Sequence, residues 1–241
     1  MAQFTDASPR ARARLAGAMY LLTVLAGMVA QGLISNRLVV AGDAAGTAAN
    51  ILGHEALYRL GMTLYLVEMA SQVAMTAIFY ELLKPVDRGL SIVAAFIGLT
   101  GCVVKTVSRI FYAAPLLLLN GAQLLPAFGP EQAHALALVS LGINDQAAAI
   151  ALVFFGLAAL IKGVLIVRST FLPRLIGTLA IAGGAGWSLF LYPPLAYRVF
   201  PGILAIGLIG AVVQIAWLLA FGVDEQRWKE RAAWASSSIW R

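Results

Sequence analysis

Six long apolar runs, separated by short polar connections, dominate this chain. They cover residues 15–34, 56–83, 90–119, 147–167, 173–192 and 202–223. Each approaches or exceeds the ~20 residues that a helix needs to cross ~30 Å of hydrocarbon. Prolines punctuate the pattern: Pro85 ends the second run, and Pro130 and Pro173 suit first helical turns. Pro115 is expected to bend the last turn of the third run. A segment from Glu131 extends the fourth run toward its N-terminal side. Between the first two runs, Asp43 is placed to cap a short helix over Ala44–Gly53, read as lying on the outer surface. Residues 224–241 mix charges with Trp228, Trp234 and Trp240, as an interfacial cytoplasmic tail does.

The first run follows Arg10, Arg12 and Arg14 and so resembles a secretory signal. Its full spanning length, with no small-x-small cleavage site after it, makes it a helix of the mature protein instead. Lysine and arginine in the connections then orient the bundle. Arg10, Arg12, Arg14, Lys84, Arg88, Arg168, Arg174, Arg227, Lys229, Arg231 and Arg241 fall on one side, and Arg37 and Arg198 on the other. Eleven cations against two place both termini in the cytoplasm.

Composition agrees. Of 241 residues, 61% are hydrophobic and 12% charged, whereas soluble domains carry about 25% charged residues. A net charge of +6 would point to nucleic acid if it lay on one soluble face. Here the cations lie between apolar runs, and a membrane surface is the partner they imply. Cys102 is the single cysteine, so there is no internal disulfide and no multi-cysteine metal site. Small residues at four-residue spacing (Ala94, Gly98, Cys102; Ala180, Gly184; Gly207, Ala211) favour close helix packing. The fold expected is an all-α integral membrane bundle, residues 1–241 forming one domain with no soluble part.

Polar residues inside the runs carry the functional information. An ionisable group at a helix centre costs at least ~2.5–3.5 kcal/mol and needs a partner or a purpose. Glu68 lies deep in the second run. Lys105 and Arg109 lie in the outer half of the third, and Asn144, Asp145 and Gln146 open the fourth from the same side, with Gln31 near the outer end of the first. At 100° per residue, His54, Tyr58, Gly61, Tyr65, Glu68 and Gln72 fall within about 80° on one face. Gly101, Lys105, Ser108 and Tyr112 form a second stripe, with Arg109 at its edge. Two such stripes on consecutive antiparallel helices should face the interior, with Glu68 and Lys105 as an ion pair. Arg59 falls off the stripe and pairs with Glu55 four residues earlier.

Two readings of this cluster follow. One is an internally satisfied structural network. The other is an outward-opening pocket for a small anionic or polar ligand, lined by Tyr65, Glu68, Gln72, Lys105, Ser108, Arg109, Tyr112, Asn144 and Asp145. Lys105 and Arg109 are like charges one turn apart, which favours an anion between them.

Catalytic signatures are poor. His54-Glu55-Ala56-Leu57-Tyr58 begins like the H-E-x-x-H zinc motif, but tyrosine occupies the second histidine position. A zinc site would need His54, Glu55 and His134 to converge. Gly186-Trp187-Ser188 resembles an intramembrane serine protease, yet no histidine follows to act as base. There is no phosphate loop and no dinucleotide fingerprint. Lys162, near the inner end of the fourth run, can snorkel to the interface. No cofactor, no catalytic residue and no nucleic-acid partner is expected.

Several segments match a known family. They are Asn36-Arg37-Leu38-Val39-Val40-Ala41-Gly42-Asp43-Ala44-Ala45, Asn50-Ile51, His54-Glu55, Arg59-Leu60-Gly61 and Leu83-Lys84-Pro85-Val86. Leu152-Val153-Phe154-Phe155-Gly156-Leu157 and Phe171-Leu172-Pro173-Arg174-Leu175-Ile176-Gly177 complete the set. From about Arg14 to Tyr192 the chain resembles the bacterial membrane family known as domain of unknown function 4386. The resemblance implies a multi-pass protein of the bacterial cytoplasmic membrane and carries no functional residues with it. The leading expectation is a carrier or sensor for a small molecule or ion. A non-catalytic accessory subunit is the alternative, and a metal-dependent intramembrane enzyme the third.

Overall fold

A computed structural model describes residues 8–120 and 129–238; Trp240 and Arg241 of the expected tail lie outside them. Helix is the regular secondary structure of the described residues, with no strand among them, and six of the helices are long and apolar enough to cross a membrane. In chain order they are α1 (Pro9–Leu38), α3 (Glu55–Leu83), α4 (Arg88–Asn120), α5 (Pro130–Arg168), α6 (Arg174–Leu191) and α8 (Phe200–Ala220). The shorter helices are α2 (Ala44–Gly53), α7 (Pro193–Arg198) and α9 (Glu225–Ser238).

α1 is longer than the sequence reading, and α5 takes in the segment from Glu131 as expected. α1 starts at Pro9, so Arg10, Arg12 and Arg14 lie within its first turns. α5 runs unbroken for 39 residues from Pro130. Its polar triplet Asn144-Asp145-Gln146 stays helical because a helix satisfies its own backbone groups wherever its side chains point.

Asp43 caps α2 as its position implies, its side chain accepting from the Gly46 N–H at 2.7 Å. The Thr47 hydroxyl accepts from the Val40 N–H at 2.9 Å, and Asn50 Nδ2 donates to the Leu38 carbonyl at 3.2 Å. α2 is therefore fastened to the end of α1, with Ile51 wholly buried.

The chain forms two compact units. One comprises Met1–Leu21, Ser71–Cys102 and Ile150–Arg241, and the other Leu22–Ala70 and Val103–Ala149. The core of the first gathers Ala13, Ala16, Phe79, Leu82, Leu165, Ile166 and Leu218. Within it α5 and α6 touch backbone to backbone. A Cβ on Gly163 would sit 2.8 Å from the Gly177 carbonyl oxygen, and one on Gly156 would sit 2.8 Å from that of Gly184. The reciprocal distances at Gly177 and Gly184 are both 2.7 Å. Small residues permit such an approach, and in lipid that packing stands in for the hydrophobic drive.

The tail helix packs within the first unit. Asp224 caps α9 by accepting from the Arg227 N–H at 3.1 Å, and Trp228 Nε1 donates to the Leu82 carbonyl at 2.9 Å. α9 is thus docked on the core of its unit.

The second unit has a different core, in which Ile34, Leu38, Ile51 and Leu116 surround Tyr58, Tyr65 and Tyr112. Three buried tyrosines in so small a core require hydroxyl partners, and those partners define the site.

Candidate functional site

The site lies wholly within the second unit and is built from α1, α3, α4 and α5. Glu68 on α3 is 7% exposed, and its Oε1 receives Lys105 Nζ of α4 at 2.5 Å. The carboxylate lies against α1 where Gly27 leaves room: a Cβ there would stand 3.0 Å from Oε1. The second oxygen, Oε2, is buried without a hydrogen-bond donor among the described residues.

One turn along α4, Arg109 is 3% exposed. Its guanidinium carbon lies 3.7 Å from the centre of the Tyr65 ring, and Nη1 donates to Asn144 Oδ1 at 2.9 Å. Asn144 Nδ2 in turn donates to Asp145 Oδ1 at 2.9 Å. The Nε of Arg109 is buried without an acceptor among the described residues. Among the described residues no carboxylate comes within ion-pair distance of Arg109. A ring face and an amide thus hold a full charge that two acids could have neutralised.

The tyrosines form one assembly. Tyr58 and Tyr112 stack with ring centres 4.5 Å apart, and Tyr65 meets Tyr112 edge-on at 5.2 Å. The Tyr65 hydroxyl donates to Gln31 Oε1 at 2.6 Å. Ser35 Oγ donates to the Tyr112 hydroxyl at 3.2 Å and lies 3.1 Å from that of Tyr65. The Tyr58 hydroxyl donates to the backbone carbonyl of Tyr112. Pro115, in the interior of α4, has no N–H to return to the Phe111 carbonyl four residues earlier.

Gln31 and Ser35 reach the tyrosines from Val29–Ser35, where α1 widens into a π-helical segment. Such segments shift the register of the side chains that follow and recur at functional sites.

Of the residues expected from sequence, Tyr65, Glu68, Lys105, Arg109, Tyr112, Asn144 and Asp145 come together in this unit. Two sit differently. Ser108 is buried but donates to the Lys105 carbonyl of its own helix at 2.7 Å, the usual outlet for a serine in an apolar helix. Gln72 belongs to the other unit and enters hydrogen bonding through its backbone carbonyl, which accepts from Thr76. Gln31, Ser35 and Gly27 of α1 complete the site. Only Gln31 had a sequence signal, because a serine or glycine in an apolar run looks like packing.

The residues of the zinc alternative have other partners. His54 Nδ1 lies 3.1 Å from the Asn50 carbonyl, and Glu55 is taken by Arg59 at 2.6 Å. His134 does not join them, and no group of three or more potential metal ligands forms among the described residues. Ser188 donates to the Gly184 carbonyl at 2.8 Å, bonding within its own helix. Lys162 Nζ lies 4.5 Å from the Phe79 ring centre and 5.6 Å from that of Tyr20, in the first unit.

Neither the curated proteins nor the solved structures contain a match to this chain. The model of one protein family matches residues 15–222, which hold all six spans in whole or in large part together with every site residue. The chain belongs to the family described as Domain of unknown function (DUF4386).

Proposed function

We propose that this protein spans the bacterial cytoplasmic membrane with both termini inside, and that it binds a small anionic or polar molecule at Arg109 as a carrier or sensor. The orientation rests on the excess of lysine and arginine in alternate connections. The binding reading rests on one observation: Arg109 is buried at 3% exposure, and among the described residues it has no carboxylate at ion-pair distance and no acceptor at Nε. A buried cation without an anion is strongly disfavoured in a low-dielectric interior. A ligand carboxylate or phosphate would supply both the charge and the missing acceptor, in the bidentate geometry that guanidinium favours. Lys105 is already neutralised by Glu68, so Arg109 is the group with charge left to offer. The site would open toward the outer face, where the sequence places its polar ends.

A thermal-shift screen of the purified protein against small carboxylates, phosphates, amines and neutral solutes tests this reading. An anion should raise the unfolding midpoint of wild type and of Arg37→Gln but not of Arg109→Gln. If no compound stabilises the wild type, or if the shift survives in Arg109→Gln, the binding reading fails.

The Glu68–Lys105 pair and the hydroxyl chain of Ser35, Tyr65 and Tyr112 favour a second reading, a purely structural network in an accessory subunit. On that reading Arg109→Gln changes stability alone.

A further inference from the structure

A second basic site lies in the other unit, independent of Arg109. Arg10 and Arg14 at the start of α1 and Arg227 in the first turn of α9 line a cleft of about 560 Å³. Its walls come from the start of α1, the link Thr170–Pro173 before α6 and the end of α8. In a six-span chain the start of the first span, the start of the fifth and the end of the sixth share one membrane surface. The cleft therefore sits at headgroup level whichever way the protein faces.

The cleft is cationic. Among the described residues three guanidinium groups line it against one carboxylate, Asp224, which already pairs with Arg227 Nε at 3.4 Å; the Glu225 carboxylate lies outside the lining and accepts from the Arg10 N–H at 3.4 Å. Arg14 Nη2 donates to the Ala220 carbonyl at 3.1 Å, and Arg227 Nη1 to the Thr170 carbonyl at 3.3 Å. These single bonds to neutral carbonyls fix two of the arginines in place while leaving most of their donors open. Gly222 ends α8 at φ 68°, and a Cβ there would lie 2.9 Å from Arg10 Cγ. The glycine thus lets the stem of Arg10 lie across the helix end.

The walls are apolar and aromatic. Trp217 and Phe221 lie with ring centres 4.6 Å apart, and Phe221 is 61% exposed beside the cations. A cationic floor at headgroup level, with an aromatic flank continuing along a spanning helix, matches an anionic amphiphile. Its phosphate meets the guanidinium groups and its chain follows α8.

We infer that this cleft binds the phosphate of an anionic phospholipid headgroup through Arg10, Arg14 and Arg227. The shared chemistry is a phosphate group. A soluble phosphate would use the same donors without the aromatic flank.

The test reconstitutes the full chain in nanodiscs of phosphatidylcholine, alone or mixed with phosphatidylglycerol, and reads retained lipid by native mass spectrometry. One phosphatidylglycerol should be retained in preference to phosphatidylcholine. Arg10→Gln should cut that preference about fivefold, the worth of one cation near an anionic surface, and Arg37→Gln should leave it unchanged. Glutamine keeps the Cγ that packs on Gly222 and the backbone N–H that donates to Glu225; because the Arg10 charge also acts on Glu225, an unfolding midpoint checks that the variant keeps its fold. Arg10→Lys, which keeps the charge, should retain the preference. Equal retention of both lipids, or an unchanged preference in Arg10→Gln, overturns the site. Stabilisation by inorganic phosphate in neutral nanodiscs, without retained phosphatidylglycerol, overturns the lipid assignment and makes this a soluble-anion site.

Discussion

Lys105 Nζ and Glu68 Oε1 meet at 2.5 Å between α4 and α3, with side chains only 15% and 9% exposed. At that burial each charge depends on the other, and removing one leaves its partner stranded at a cost of ~3–5 kcal/mol. Glu68→Gln and Lys105→Met should each lower the unfolding midpoint in detergent, and the double variant should recover much of the loss. The recovery is the coupling that a double-mutant cycle measures. Strictly additive losses would show that the pair carries no such energy.

The contact between α5 and α6 predicts sharp intolerance at its glycines, of which the small-residue spacing marked Gly184 but not Gly177. At Gly177 a Cβ would meet Val167 Cγ2 at 2.6 Å and the Gly163 carbonyl oxygen at 2.7 Å. Backbone cannot step aside as a flexible side chain does, so Gly177→Ala should cost ~1–3 kcal/mol through overpacking. Gly32→Ala provides the comparison, since a Cβ at Gly32 meets nothing within 4 Å. Thermal unfolding of the two variants should differ clearly, and similar midpoints would contradict the close approach.

Orientation is open to cysteine labelling once Cys102 is replaced. Glu131 in the first turn of α5 and Thr170 just past its last residue are both exposed. A cysteine at position 131 should react with an impermeant reagent applied to intact cells, and one at 170 only after permeabilisation. The opposite pattern would reverse the proposed sidedness.

Glu225 makes a pH prediction outside the spans. Its carboxylate is held below the ordinary glutamate value, first by the Ser8 hydroxyl and then by the Arg10 N–H and the charges of Arg10 and Lys229. A depressed carboxylate stabilises the folded state above its unfolded value, and the contribution disappears as pH falls through the folded value. The wild type should therefore exceed Glu225→Gln in thermal stability at neutral pH, and the gap should close on acidification through and below 4.5. A pH-independent gap would mean that this contact does not hold α9 to the start of α1.

Much of the site was legible because helical periodicity is strict. The stripes that hold Tyr65, Glu68, Lys105 and Tyr112 follow from 100° per residue alone, and Glu68 with Lys105 follows from the need of a buried charge for its opposite. Arg109 stood at the edge of its stripe. That it would lie over the Tyr65 ring at 3.7 Å rather than against a carboxylate depended on where Asn144 and Asp145 of α5 came to rest. The spacing along one helix does not encode that.

The amino-acid sequence by itself determined the six apolar helices, the capped helix α2 and the polar faces of α3 and α4. These rest on local rules: hydrocarbon thickness, side-chain period and the capping of a helix end by Asp43. Tertiary structure decided the rest. The π-helical segment of α1 turns Gln31 and Ser35 onto the tyrosines, and Gly27 makes room for the Glu68 carboxylate. Gly156, Gly163, Gly177 and Gly184 lock two helices at backbone contact, and three arginines far apart in sequence line one cleft. Each of these depends on which surfaces meet, and a surface that looks uniformly apolar in sequence acquires its meaning only from its neighbour.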